Sequence, residues 1–284
     1  MKVSVIIPFR EKNELLEKCI ASVKEQNYKN KEIILVSDRT SLNEKGVISV
    51  KNPDCKGVGA KRNFGGKVAK GDLLFFLDSD CILNKGTISS LVKILEENKA
   101  DAISGKSLTP TRSNLLGYVT GLEYEYRFEK MGEGFVDVAA TTCLMISRKA
   151  FNHIGGFVDY SEGEAVGEDW DFSTKLVMQK FKIFHTNKVE FYHVHSSDTL
   201  RKYLKRQYQH ARYRVTHFRR YKQATDKYTR PDILISSIFL FNLVPALKIY
   251  EKTKDIKVLI LLPAISLLRS LAWICGAVIG VFKD

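Results

Sequence analysis

Cysteine is scarce in this chain and follows no pattern. Cys19, Cys55, Cys81, Cys143 and Cys275 are odd in number, widely scattered and free of any C-x-x-C pair. That pattern suggests neither a disulfide framework nor a zinc site, and fits a reducing, cytosolic setting. A long apolar leader is absent as well. Met1 and Lys2 run into Val3-Ser4-Val5-Ile6-Ile7, too short for a signal sequence, so the working parts are expected to face the cytoplasm. There is no internal repeat and no low-complexity linker. Acids are almost missing from one stretch: residues 201–230 hold eleven Lys and Arg against Asp226, a net +10 of the chain's formal +13. The partner of that stretch is expected to be anionic.

The 284 residues are enough for one sizeable core plus an appendage. Residues 3–9, 32–37 and 72–77 are short, nearly continuous apolar runs, the pattern of strands buried on both faces of a parallel sheet. Between the first two lies a helix signal, with Asn13 as N-cap, Glu14 in the first turn, and Leu15, Leu16, Cys19, Ile20 and Val23 on one face. This alternation argues for an α/β domain. Further strands are expected at 101–104, 136–147 and 181–191, and helices near 87–97 and 169–180. After about residue 200 the composition changes twice. Leu204, Tyr208, Ala211, Val215 and Phe218 recur at spacings of four and three, an apolar stripe on a basic helix. Residues 233–250 and 258–282 are then two largely apolar segments, parted by Glu251-Lys252-Thr253-Lys254-Asp255.

A divalent cation held by acidic side chains neutralises a diphosphate leaving group and orients its carrier. Asp78-Ser79-Asp80 follows the apolar run Leu73-Leu74-Phe75-Phe76-Leu77, which places two carboxylates outside the carboxyl end of a strand, where α/β sheets bind ligands. Alone, such a triplet is a weak signal, because surface acids one residue apart are common. Its companions make it specific. Pro8-Phe9-Arg10-Glu11 follows the first strand, Ser37-Asp38 the second, and Gly57-Val58-Gly59-Ala60-Lys61-Arg62-Asn63-Phe64-Gly65 precedes the Asp78 strand. Gly155-Gly156-Phe157 is followed by Gly167-Glu168-Asp169-Trp170-Asp171-Phe172 at a helix start. In this order the segments closely resemble glycosyltransferase family 2, over roughly residues 1–200.

The resemblance implies an α/β GT-A nucleotide-sugar-binding domain with a central, mostly parallel sheet. It also implies an inverting, metal-dependent hexosyltransferase that takes sugar from a nucleoside diphosphate donor. Position by position, Pro8, Phe9, Arg10, Glu11 and Asp38 would flank the base and ribose, while Lys61, Arg62 and Asn63 would sit near the diphosphate. Asp78 and Asp80 would meet the ribose and metal, with Asp80 coordinating Mn²⁺ or Mg²⁺. Asp169 would be the catalytic base, next to Glu168 on the substrate. One departure stands out: the family usually shows two adjacent acids after the second strand, and this chain has Ser37-Asp38-Arg39-Thr40, which leaves the base that is read open.

Chemistry agrees about Asp169, since an attacking hydroxyl must lose its proton and a carboxylate within reach contributes about 10²- to 10⁴-fold. One such base with in-line attack inverts the anomeric centre. The plainer reading of Glu168, Asp169 and Asp171 is that they cap a helix N-terminus, which favours anions. Phe191-Tyr192-His193-Val194-His195 is a strand-like run with two imidazoles on one face. Similar transferases place a histidine near the metal or diphosphate here, with His193 preferred as ligand, against a purely structural pair.

A polyprenyl-phosphate sugar synthase resembles the same family, but its acceptor phosphate is already ionised and needs no base. The intact Gly167-Glu168-Asp169 argues instead for a hydroxyl on a lipid-linked or other membrane-proximal glycan. Cys81-Ile82-Leu83 also lacks the Leu-Gln continuation usual in those synthases. A basic nucleic-acid-binding protein is suggested by Tyr203, Tyr208, Tyr213 and Tyr221 among Arg and Lys. The apolar tail opposes it, so no nucleic acid is expected.

Residues 201–230 read as a basic amphipathic helix on an anionic membrane surface, and 231–284 as a C-terminal hydrophobic hairpin of two membrane helices. That puts the chain at the cell membrane with the catalytic domain, residues 1–200, cytoplasmic. Arg269, near the middle of the second segment, is costly in hydrocarbon and is expected to face the other helix or a lipid phosphate. Residues 109–134, with Tyr118, Tyr124, Tyr126, Phe128 and Phe135, are expected to be a long loop that either lines an acceptor pocket or simply packs.

Overall fold

The apolar runs of the N-terminal half become strands covered on both sides. In the computed structural model, which describes residues 1–110, 114–158, 166–194, 199–221 and 243–282, β1 (Val3–Pro8), β2 (Lys31–Ser37), β3 (Ile48–Lys51) and β4 (Leu73–Leu77) pair in parallel in the order β3-β2-β1-β4. Strand side chains alternate between faces. Val5, Ile7, Leu35 and Phe75 therefore enter one core with Leu16 and Ile20 of α1 (Glu14–Lys24). Ile6, Ile34, Leu74 and Phe76 enter a second core on the opposite face. The runs are apolar at every position because neither face is wet. α1 starts where the sequence indicates, with the Asn13 side chain accepting from the Leu16 amide.

α2 (Val58–Val68) approaches the sheet closely: a Cβ on Gly65 would fall 2.4 Å from Ile6 Cγ2. After β4 come β5 (Cys81–Leu83), α3 (Thr87–Glu97) and β6 (Ala102–Leu108). α4 (Leu115–Met131) and β7 (Gly134–Val136) precede β8 (Cys143–Ser147), α5 (Arg148–His153), α6 (Glu168–Met178) and β9 (Ile183–His193). Phe151 of α5 and Phe172 and Leu176 of α6 fill the second core. β8 runs antiparallel to both β4 and β6, β9 runs parallel to β6, and β5 and β7 run antiparallel to β9. The sheet is thus mixed around a parallel core. The strand expected over 136–147 is two strands, and Thr141 and Thr142 lie in the gap between them.

The chain divides into two compact units: residues 1–108 with 131–194, which hold the sheet, and residues 109–130 with 195–284. Among its described residues the second unit is helical, with α4 joined by α7 (Leu200–Arg220), α8 (Leu243–Thr253) and α9 (Ile256–Phe282). Its core contains Val119, Leu122, Tyr203, Ala246, Ile249, Val258 and Leu262. The segment expected as a loop over 109–134 is mostly helix α4, and Tyr118 and Tyr126 pack against this core. α7 buries Tyr203, Gln207, Ala211 and His217, while Phe218 of the expected stripe is exposed. Gln207 is drawn inward by Trp273, whose Nε1 donates to its Oε1 at 2.9 Å.

The expected hairpin of two membrane helices is corrected. α8 has 11 residues, too few to span a bilayer, and residues 233–242 lie outside the described residues. Among the described residues, α9 is the one helix long and apolar enough to cross. Arg269 faces neither a second membrane helix nor solvent: it is buried, and its Nη1 meets Glu123 Oε2 of α4 at 2.6 Å.

Candidate active site

Parallel strands share a direction, so the residues that follow β1, β2 and β4 emerge at one edge of the sheet. Antiparallel β8 begins where β4 ends, through the pair Leu77 and Cys143, and β9 ends opposite Cys81, through Cys81 and His193. Topology thus gathers residues 9–11, Asp38, Asp78, Asp80, Thr141 and His193 at a common edge.

The most densely paired part is built around Arg62 in α2. Its guanidinium is almost fully buried, yet it pairs with Asp78 Oδ1 at 2.7 Å and Glu168 Oε1 at 3.3 Å, lies 3.9 Å from Asp169 Oδ1, and stands 5.2 Å from the centre of the Phe157 ring. Burial by itself would lower its pKa, but the charges of Asp78, Glu168 and Asp169 outweigh that and hold it firmly protonated. Arg62 is therefore enclosed by acids rather than open at a phosphate-binding rim.

Asp169 sits in the first turn of α6, which starts from Gly167 in the left-handed conformation, φ 98°. Thr141, itself fully buried, donates its hydroxyl to Asp169 Oδ1. Burial foremost, and then the neighbouring Glu168, pushes the Asp169 carboxyl up to about 7 against the pull of Arg62 and Thr141. Asp171 is buried completely on the same helix.

At the β2 end, Lys61 Nζ meets Asp38 Oδ1 at 2.5 Å, and Arg39 spans Glu11 at 2.6 Å and Asp38 at 3.9 Å. Burial would raise the Asp38 carboxyl, but the hydrogen bond and charge of Lys61, helped by Arg39, hold it below its usual value. Pro8 closes β1, and Arg10 lies exposed in the turn that follows, its carbonyl accepting from Ser37 Oγ at 3.3 Å. The Phe9 side chain is in the core, 3% exposed, so only its backbone borders this edge. Asn63 is also occupied elsewhere. Its Nδ2 donates to the Phe157 carbonyl at 2.9 Å and its Oδ1 accepts from the Phe157 amide at 2.8 Å, which pins the turn at Gly155-Gly156.

Asp80 Oδ1 and His193 Nε2 are 3.4 Å apart, and with Cys81 Sγ they form a cluster whose ligand atoms lie within 4.8 Å of one another. Burial first, then the charges of Asp80 and Asp78, pushes the Cys81 thiol well up, and hard cations such as Mn²⁺ and Mg²⁺ prefer oxygen and nitrogen donors to sulfur. What the cluster offers a cation is a carboxylate oxygen and an imidazole nitrogen, a donor set that fits Mn²⁺ or Mg²⁺ completed by diphosphate oxygens. His195 lies outside the described residues.

Sequence reasoning missed Thr141, which was subsumed in an over-long strand, and gave no sign of the burial of Arg62 among acids, which a basic side chain in sequence does not announce.

Known proteins arrange themselves around this geometry. A mannosyltransferase from Pyrobaculum calidifontis, solved with GDP-Man and Mn²⁺, superposes with a TM-score of 0.62 at 17% identity, covering 100% of this chain and 88% of that one. The shared fold is GT-A. A glycosyltransferase of Streptococcus pneumoniae, GlyG, is 30% identical over 135 residues, 43% of this chain and 45% of the relative. The GalNAc(5)-diNAcBac-PP-undecaprenol beta-1,3-glucosyltransferase of Campylobacter jejuni is 32% identical over 126 residues, 40% of each. The chain thus spans less than half the length of these curated relatives. The family model described as Glycosyl transferase family 2 matches residues 4–155. Because that match covers more than half of the 284 residues and carries the Arg62, Asp78 and Asp80 edge of the sheet, the chain belongs to glycosyltransferase family 2.

Proposed function

We propose that this glycosyltransferase moves a hexose from a nucleoside diphosphate donor to a hydroxyl of a lipid-linked or other membrane-proximal glycan, inverting the anomeric configuration. The observation that carries the reading is the carboxyl of Asp169, held by the Thr141 hydroxyl in the first turn of α6 and 3.9 Å from the Arg62 guanidinium, with burial and Glu168 pushing its pKa upward. A base poised near neutrality suits removal of a hydroxyl proton, and an already ionised phosphate acceptor would not require one. Arg62 acts as a positioning residue, fixing Asp78, Glu168 and Asp169 relative to one another. Lys61 and Asp38 are suited to the nucleoside side of the donor, next to the turn of Pro8, Arg10 and Glu11.

Asp80 and His193 would hold the divalent cation, whose charge would offset that of the departing diphosphate. A mannosyltransferase of the same fold, solved with GDP-Man and Mn²⁺, and a relative whose name specifies a diphosphoundecaprenol acceptor, an Escherichia coli β-1,3-glucosyltransferase, support the donor and acceptor classes. In this reading residues 1–200 form the catalytic domain on the cytoplasmic side of the cell membrane, and residues from 201 onward supply contact with its anionic surface.

The test is to incubate the full chain with a panel of nucleotide sugars and Mn²⁺ or Mg²⁺, following nucleoside diphosphate release and transfer into polyprenol-diphosphate-linked glycans. Metal-dependent transfer to a glycan hydroxyl is the expected result. Transfer to polyprenyl phosphate with no glycan product would overturn the reading in favour of a synthase.

A further inference from the structure

The two longest helices of the second unit lie side by side. Trp273 Nε1 donates to Gln207 Oε1 at 2.9 Å, and Arg219 Nη2 donates to the Val281 carbonyl at 2.8 Å. A Cβ on Gly276 would fall 2.3 Å from the Tyr208 carbonyl oxygen, and one on Gly280 would fall 3.1 Å from that of Arg212. Residue numbers rise together in these pairs, so α7 and α9 run in the same direction, with backbones in near contact at the two glycines. α7 therefore accompanies the C-terminal half of α9.

Each helix is two-faced about this seam. On α9, Ile260, Leu267, Leu271, Ile274 and Val278 recur at helical spacing on the side away from Gly276 and Gly280, and each is about half exposed or more, 46% to 66%. On α7, Arg201, Lys205, Arg212 and Arg219 fall on one line and Lys202, Arg206 and Arg220 on the next. Six of these seven are exposed, and residues 200–220 contain no acid.

Length alone would let α9 cross a bilayer, since 27 residues reach roughly 40 Å at about 1.5 Å each, against a hydrocarbon core of about 30 Å. Its companion decides against crossing. Spanning would draw Arg201, Lys202 and Lys205 of α7, all exposed and set beside the middle of α9 by the Gln207–Trp273 and Tyr208–Gly276 contacts, into hydrocarbon, where a charge near the centre is costly. Lying in the plane, the pair meets no such cost. The apolar line of α9 enters the boundary between headgroups and acyl chains, and the cations of α7 stay in water or among headgroups. Arg269 needs no lipid phosphate in this arrangement, because Glu123 already neutralises it inside the unit.

We propose that α7 and α9 form an amphipathic helix pair that lies in the plane of an anionic bilayer surface, with Ile260, Leu267, Leu271, Ile274 and Val278 inserted, and does not cross it. The anionic character follows from charge complementarity, since Lys and Arg near such a surface are drawn to its negative potential. The proposal rests on the membrane-proximal part of the functional reading and is independent of its chemistry.

Cys275, exposed on α9 while the other four cysteines are buried, is a natural probe. The full chain, labelled there with a polarity-sensitive thiol dye, is expected to shift to blue emission and to float with phosphatidylglycerol-containing vesicles. Paired Leu271→Glu and Ile274→Glu substitutions should lower flotation about tenfold or more, since each replaces a large apolar side chain in the boundary layer by a charge. Donor hydrolysis by that variant should persist, which separates a failure of attachment from a failure of the catalytic reading. From cell membranes, alkaline carbonate should release the chain, and tags at both ends should be cut by protease from the same side. Carbonate resistance with a protected C-terminal tag would establish a spanning helix and overturn the proposal. Absence of flotation, with a dimer that Leu271→Glu dissolves, would assign the apolar line to a second copy of the chain.

Discussion

Arg62 and Asp78 are joined at 2.7 Å, and the same buried guanidinium also serves Glu168 and lies within 3.9 Å of Asp169. One cation thus balances three carboxylates, and removing it leaves them facing one another out of water. Arg62→Met is expected to lose about 3–5 kcal/mol of stability at neutral pH. The loss should shrink under acidic conditions, where the carboxylates take up protons instead. Urea unfolding at two pH values measures both effects. A variant as stable as the parent at neutral pH would show that the acids are stabilised by something other than Arg62.

Asp169→Asn should bind donor normally but turn over about 10²-fold or more slowly, because the amide cannot accept a proton. In the proposed mechanism Asp169 acts when ionised, so turnover should rise with pH up to about 7 and then level. The stability effect has the opposite direction. A carboxyl raised from 3.8 in the unfolded chain to about 7 in the folded one contributes stability below the lower value that is lost as pH rises through the upper one. Above pH 7 the Asn variant should therefore be at least as stable as the parent while nearly inactive. Thermal melts and steady-state rates over the same buffers test the pair of signs.

The metal reading makes a separable prediction. Asp80→Ala should abolish metal-dependent donor turnover without unfolding the chain, and His193→Ala should raise the Mn²⁺ concentration needed for half activity. Both side chains sit on one cluster, so the double variant should be no worse than Asp80→Ala alone. Full activity of the parent in excess chelator would remove the cation from the reaction.

Much of the unit that holds the sheet was legible because its signals are local. A strand covered on both faces must be apolar throughout, and the turns that follow parallel strands must meet at one edge, so Asp38, Asp78 and Asp80 could be grouped before any fold was known. The hydrogen bond from Thr141 to Asp169 links residues 28 positions apart and has no local signature. Phe9 and Asn63 stand in the right segments, but their side chains are consumed by the core and by Phe157. α4 hid for another reason. Gly117 and Gly121 weaken its helix propensity, and tyrosines occupy both its buried and its open sides, which blurs the apolar period that would have marked it. Arg269 was recognised as needing a partner, but Glu123 could be found only once α4 was known to be a helix.

That partner supplies the last prediction. Glu123 is buried on α4, with Oε2 at 2.6 Å from Arg269 and Oε1 at 2.5 Å from Arg127. Burial would raise its pKa, but the two arginines outweigh burial and lower it. A lowered carboxyl contributes stability that is present above its unfolded value near 4.5 and lost as pH falls through the folded one, so the helical unit should loosen in acid. Glu123→Leu should cost about 3–5 kcal/mol, because Arg269 is left charged, buried and unbalanced. Replacing both, Glu123→Leu with Arg269→Met, should recover most of that loss, since a well-packed apolar pair of similar volume is often neutral or better. The chain has two tryptophans, Trp170 on α6 and Trp273 on α9. A Trp170→Phe background therefore makes Trp273, packed on Gln207, the sole fluorescent reporter of this unit. If the double variant is as unstable as Glu123→Leu alone, the ion pair is not what ties α4 to α9, and the packing of Leu122 and Val119 on Leu262 must carry that contact instead.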